Sequence, residues 1–238
     1  MNSVNLRSLD RNEVLFHFTK SSNLEAISSL GLLPMIGKNS MGIENTKKVF
    51  FSKGYKGFLE ICDVWINWLI YTYGFDKFVS DSDREYGFRE VREEYKKFFK
   101  QGLYNNQENR MKAFSMMKSF MEENIVLSLD LTEGVEYESD DIDEAKIRAN
   151  DTDFIRYIYC NHVNSDTLMD PCNMHTKSDL IVSSDKISLV DCDGELSALY
   201  LLDVIYEEEK NNNSENEFLL LDDFMEYVRS FNEKKGMM

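Results

Sequence analysis

The sequence predicts an α+β fold, and three observations carry that prediction. Strand signals fall at 13–19 and 47–52, and return at 125–131, 179–183 and 186–191. Helical patterning fills about 55–124, so strands and helices are segregated rather than alternating. Two prolines and eleven glycines in 238 residues favour long regular elements over many tight loops.

The elements follow in order. "VLFHFT" reads as a strand with Leu15, Phe16 and Phe18 apolar and His17 and Thr19 among them. Ser22 to Glu25 form a capping box for a helix at 22–30. Leu24, Ile27 and Leu30 share one face of that helix. Gly31 sits where a left-handed C-terminal cap belongs, with Leu32 as its apolar contact. "KKVFFS" is a second strand, followed by an apolar helix from Tyr55 to about Tyr73. A charged amphipathic helix at 81–102 and a Met-rich one at 107–124 complete a helical insertion, the Met-rich face belonging to the core. "IVLSLDL" alternates like a half-buried strand. "VEYESDDIDEAK" reads as an acidic loop leading into a helix. Residues 153–163 and 195–208 suit either helix or strand. "DLIVS" and "KISLVD" are strands, 207–217 is a polar linker, and 218–238 holds a terminal amphipathic helix. The expected organisation is one domain over 1–206 with the insertion at about 55–124, then linker and helix.

Composition narrows the function. A hydrophobic fraction of 42% supports a real core at this length. A net charge of −16 repels nucleic-acid phosphates and anionic lipid, and the basic pairs Lys47-Lys48, Lys96-Lys97 and Lys234-Lys235 are too short to offset it. The four cysteines form no dense disulfide framework, and the N-terminus has no apolar signal core. The longest apolar run, 58–75, is interrupted by Glu60 and Asp63 and reads as a buried helix. A reduced, cytoplasmic protein with no membrane contact is expected.

The three histidines define the chemical options. Cys160 and His162, then Cys172 and His175, have zinc-compatible ligand types, but their spacing matches no familiar finger, so no metal is assigned. Cys172 or Cys160 as a nucleophile would need a low-pKa thiolate, and nothing local supplies one. No G-x-S-x-G elbow is present.

His17 is the third option. His17, Phe18 and Thr19, then Ala26, Ile27, Gly31, Leu32 and Pro34, resemble the opening of the ADP-ribosyltransferase catalytic domain, in its diphtheria-toxin-like and poly(ADP-ribose) polymerase-like branch. That family opens with a strand carrying His-Gly-Ser or His-x-Thr, then a short helix ending in Gly-Leu. A "G-x-Y-F-A/S" strand and a helix come next. Here "KVFFS" supplies Phe50, Phe51 and Ser52, with Phe50 33 residues after His17. The likeness covers about 15–70.

The resemblance implies an ADP-ribosyltransferase-like split sheet and NAD as substrate. His17 would bond ribose hydroxyls of NAD. Phe18 would clamp the nicotinamide carboxamide through its backbone, and Thr19 would offer a hydroxyl on the adenosine side. Phe50 would stack on nicotinamide, with Ser52 beside it. The family then places a glutamate on a late strand, and "SDLIVSSDKISL" puts Asp179 there, one methylene shorter. Its carboxylate would stabilise the oxocarbenium character of glycosidic cleavage. Asp170 and Glu195 are less well placed, while His175 and Thr176 could also face the pocket. The implied activity is ADP-ribosyl transfer to a protein or small molecule rather than nucleic acid. The alternative is a non-catalytic module of the same fold that engages a protein through its helical insertion or terminal helix. A related fold, the RNA 2′-phosphotransferase, shares the early His-x-Thr/Ser element but needs basic residues that are sparse here.

Overall fold

A computed structural model of the chain describes residues 1–34, 49–81, 105–131, 137–141, 169–176, 181–212 and 218–236. It is α+β. The chain divides into two compact units. The first comprises Met1–Ile61 and Phe120–Glu217, the second Cys62–Ser119 and Phe218–Met238.

The first unit is built on a mixed sheet. Among the described residues its strands are β1 (Asn2–Asn5), β2 (Leu15–Lys20), β3 (Phe50–Lys53), β4 (Asn124–Leu129), β5 (Tyr137–Asp141), β6 (Met169–Thr176) and β7 (Ile187–Asp191). Their order is β1-β7-β4-β2-β3-β6-β5, with β1 and β7 parallel and every other pair antiparallel. Alternation along the strands divides their side chains between two faces. Leu15, Phe51, Ile125, Leu127, Leu129 and Ile187 pack with Ile27 and Leu24 of α1 (Leu24–Leu30) in one apolar cluster. Phe16 and Phe18 turn the other way and meet Phe58, the first edge-on at 5.1 Å and the second stacked at 4.8 Å. Phe58 lies in α2 (Gly54–Asp81), whose residues up to Ile61 belong to this unit. Phe16 and Phe58 are fully buried, and each contributes about 1.5–3 kcal/mol.

The helix α4 (Ala198–Asn212) packs against β4 through the stripe Ala198, Leu201, Leu202 and Ile205. Residues 207–212 were expected to be linker, yet they continue this helix. Arg11 explains why: its Nη2 bonds Glu209 Oε1 at 2.6 Å while its guanidinium lies 5.3 Å above the Tyr55 ring. Lys210 adds a bond to the Tyr206 hydroxyl at 3.1 Å.

Other expectations also change. The Ser22–Glu25 capping box does not form. A 3₁₀ turn over Ser21–Asn23 precedes α1, the Leu24 amide bonds the Ser21 carbonyl, and Asn23 becomes the cap residue. The expected acidic loop contains β5, held by pairing with β6. The register of that pair shifts between Ser139 and Asp140, opposite a stretch of β6 that contains Pro171, so the proline is absorbed in an irregularity. Residues 181–183 form no strand: Val182 makes a single bridge to Leu32, and residues 179–180 lie outside the described residues. The helix expected at 81–102 and the segment 153–163 also lie outside them, but for Asp81, the last residue of α2.

The second unit takes its core from α2 beyond Ile61, from α3 (Gln107–Glu123) up to Ser119, and from α5 (Leu219–Gly236). Cys62, Ile66 and Ile70 recur every fourth residue and are buried with Phe114, Met117, Leu221 and Phe224. Phe114 meets Phe224 edge-on at 5.8 Å. Buried Asp63 accepts the Leu221 amide at 2.8 Å and so caps the first turn of α5. Arg110 pairs with Asp223. Burial, with Asp63 adjacent, pushes the Cys62 thiol well above its ordinary range, which makes it inert. Of the methionines of α3, Met117 and Met121 are buried, whereas Met111 and Met116 are exposed. No helix among the described residues is long and apolar enough to cross a membrane.

Candidate functional site

β2 is the strand that carries His17, and its two neighbours treat it differently. With β4 it pairs along its whole length, from Leu15↔Leu129 to Lys20↔Asn124. With β3 it pairs only at Leu15↔Lys53 and Phe16↔Ser52. The direction of the peptide groups follows from the Gly54 amide, which bonds the Val14 carbonyl at 2.7 Å. Hydrogen-bonding direction alternates along a strand, so the peptide groups of Phe16 and Phe18 also turn toward β3. On β3 the Val49 carbonyl accepts the Thr176 amide of β6, so Phe50 and Ser52 turn toward β2.

Beyond Phe16 the ladder gives way to a side chain. His17 Nδ1 lies 2.8 Å from the Phe50 carbonyl oxygen. In a continued ladder that carbonyl would face the Phe18 amide; here it bonds the imidazole. A carbonyl only accepts, so Nδ1 carries the proton. Nε2 is then a lone-pair acceptor, and among the described residues it has no partner. Burial lowers the His17 pKa below its ordinary 6.5, opposed by the Phe50 bond. The ring is therefore neutral at pH 7. Below pH 6.5 the unfolded chain binds a proton that the folded protein refuses. His17 therefore costs stability as pH falls from 6.5 to its folded value, and no further below that. We expect the His17 resonances to titrate with a midpoint below 6.5 by NMR; a midpoint at or above 6.5 would contradict a partly buried ring held neutral.

The remaining predicted residues cluster nearby. Thr19 is buried, and its Oγ1 accepts the Asn23 Nδ2 amide at 3.1 Å. Phe18 is partly buried against Phe58 and Phe120. Phe50 is partly buried; alternation sets its ring on the Phe16 side of the sheet, so it meets His17 through its carbonyl rather than its ring. Ser52 is 3% exposed, and its hydroxyl has no hydrogen-bond partner among the described residues. An unsatisfied buried hydroxyl costs about 1–3 kcal/mol. Ser52→Ala should therefore leave the thermal midpoint unchanged or raise it; a clear fall in calorimetry would show that the hydroxyl is already satisfied.

Asp179, Cys160 and His162 lie outside the described residues. Asp170, Cys172 and His175 are on β6, with His175 in register with Phe50. Thr176 is fully buried, and its Oγ1 accepts the Val49 amide at 3.3 Å, so it is occupied in holding β3 to β6. Glu195 is exposed in a turn bridged to Cys192. Among the described residues no three His, Cys, Asp or Glu side chains converge as metal ligands. The residue that sequence reading missed is Asn23, taken as part of a capping box. The signal was its i, i+4 spacing from Thr19.

No family model, curated protein sequence or solved structure matches the chain.

Proposed function

We propose that the protein is an NAD-dependent ADP-ribosyltransferase acting on a protein or small-molecule acceptor. The observation that carries this reading is the contact between His17 and the Phe50 carbonyl, where the β2–β3 ladder ends. Two motifs 33 residues apart, each resembling a family element, meet there through an interaction that fixes the acid–base state of the histidine.

The His17 acceptor suits a ribose hydroxyl of NAD: Nε2 would accept its proton, whereas the buried Ser52 hydroxyl, paired with Phe16, lies on the other face of the sheet. Phe18 turns its peptide group toward β3, as the carboxamide clamp requires. The Phe50 ring lies on the other face of the sheet from His17, so nicotinamide on Phe50 and ribose on His17 are proposed to be joined across the open end of the ladder. The reaction breaks the bond between ribose C1′ and the nicotinamide nitrogen. The electron pair leaves with nicotinamide, and positive charge develops on the ribose ring. The acceptor nucleophile forms the new bond to C1′ and gives up its proton. Asp179 is the carboxylate proposed to stabilise the developing charge.

A second reading keeps the fold as a binding module without turnover, and the aspartate at 179 favours it, because it is shorter than the family glutamate. Calorimetric titration with NAD and an assay of nicotinamide release separate the two. Binding with release supports the transferase, and binding without release supports the module. Release that survives Asp179→Ala moves the catalytic acid elsewhere. Absence of NAD binding removes both the cofactor and the roles assigned to His17, Phe18, Thr19, Phe50 and Ser52.

A further inference from the structure

Asn23 occupies the cap position of α1 and belongs to the residue types that cap best, yet its side chain makes no capping bond. Its backbone is helical there, with φ −88° and ψ −8°, rather than extended as a capping side chain needs. The amide is turned back along the chain instead and donates to Thr19 Oγ1 at 3.1 Å. Thr19 is 7% exposed and stands two residues after His17 on the same face of β2.

We infer that Asn23 is a positioning residue that aims the Thr19 hydroxyl hydrogen at the adenosine half of the dinucleotide. A hydroxyl that accepts from an amide keeps its own hydrogen for another acceptor. The Asn23 bond occupies one lone pair of Oγ1 and restricts where that hydrogen points. A freely rotating threonine would donate to whichever acceptor lay closest, including a backbone carbonyl of its own strand. The inference rests on reading His17 and Thr19 as part of an NAD site, and it adds a role that the cap position alone would not assign.

The test compares NAD with nicotinamide mononucleotide, which lacks the adenosine half, each followed by calorimetry and by the His17 resonances. Asn23→Asp replaces the donor by an acceptor, so the Thr19 hydrogen turns toward the new carboxylate and away from the ligand. It should weaken NAD about tenfold, roughly the loss of one hydrogen bond. Asn23→Ala, which leaves the hydroxyl free to rotate, should weaken it about threefold. Thr19→Val should match Asn23→Asp, and the double variant Thr19→Val, Asn23→Asp should be no weaker than either alone. Nicotinamide mononucleotide should bind all of these as it binds the unaltered protein. A carboxylate at the N-terminus of α1 is favoured by the helix dipole, so the thermal midpoint should hold or rise. Unchanged NAD affinity in both Asn23 variants overturns the inference while leaving the NAD site standing. Equal losses for the two ligands also overturn it, because they would mark a general structural role. No binding of NAD by the unaltered protein removes the site itself.

Discussion

Gly31→Ala should lower stability by about 4 kcal/mol, and Gly194→Ala by only about 1 kcal/mol, although both glycines have positive φ. The two φ angles are 77° and 84°, so φ alone does not distinguish the two positions. Their surroundings differ. A Cβ on Gly194 meets nothing within 4 Å, whereas one on Gly31 would stand 2.2 Å from the Val182 carbonyl oxygen. That oxygen accepts the Leu32 amide at 2.8 Å, and the Val182 amide bonds Leu32 in return at 3.0 Å. Making room for a methyl group therefore breaks a two-bond bridge and disturbs buried Leu32 and Val182, in addition to the strain. For a chain of this size about 4 kcal/mol lowers the thermal midpoint by about 8–16 °C. Equal, small shifts for the two variants in differential scanning calorimetry would show that the Leu32–Val182 contact contributes little.

His17→Asn should reduce nicotinamide release about a hundredfold and NAD affinity about tenfold, with little loss of stability. The asparagine amide can donate to the Phe50 carbonyl as Nδ1 does, which preserves the join between β2 and β3. It places nothing where Nε2 stands, so in the proposed site the ribose would lose its acceptor and the reacting carbon its alignment. His17→Ala should lose as much activity and also some stability, because the ring bonded to the Phe50 carbonyl is gone. The asparagine variant thus separates the proposed ligand role of His17 from its structural role. Retained release in His17→Asn would mean that the Nε2 acceptor plays no part.

Some of this was legible in the sequence and some was not. β2, β3, β4 and β7 were read from apolar runs, and α1 from its periodicity with its stop at Gly31. In each case a local pattern coincides with the tertiary outcome. The first turn of α1 was misread because Ser22 and Glu25 satisfy the local rule while a 3₁₀ turn shifts the start to Leu24 and turns Asn23 toward Thr19. Residues 207–212 looked like solvated linker because the charge that holds them helical comes from Arg11, nearly 200 residues earlier. β5 and β6 were missed because "YESDD" and a strand containing Pro171 carry little intrinsic strand signal; they are strands by pairing with each other and with β3. At the site, sequence placed His17 and Phe50 together. It gives the Phe50 ring a role in stacking nicotinamide and foresees no contact between the two residues, whereas the Phe50 carbonyl bonds the His17 ring. No pattern of side chains encodes where a ladder stops, so the tautomer of His17 could not be read.

The most direct test is a long-range ¹H–¹⁵N spectrum of the histidine rings at pH 7, recorded with and without NAD. With three histidines in the chain, assignment by substitution is simple. His17 should be neutral with its proton on Nδ1, and its Nε2 resonance should move as NAD is added. A proton on Nε2, or an Nε2 resonance indifferent to NAD, would contradict it.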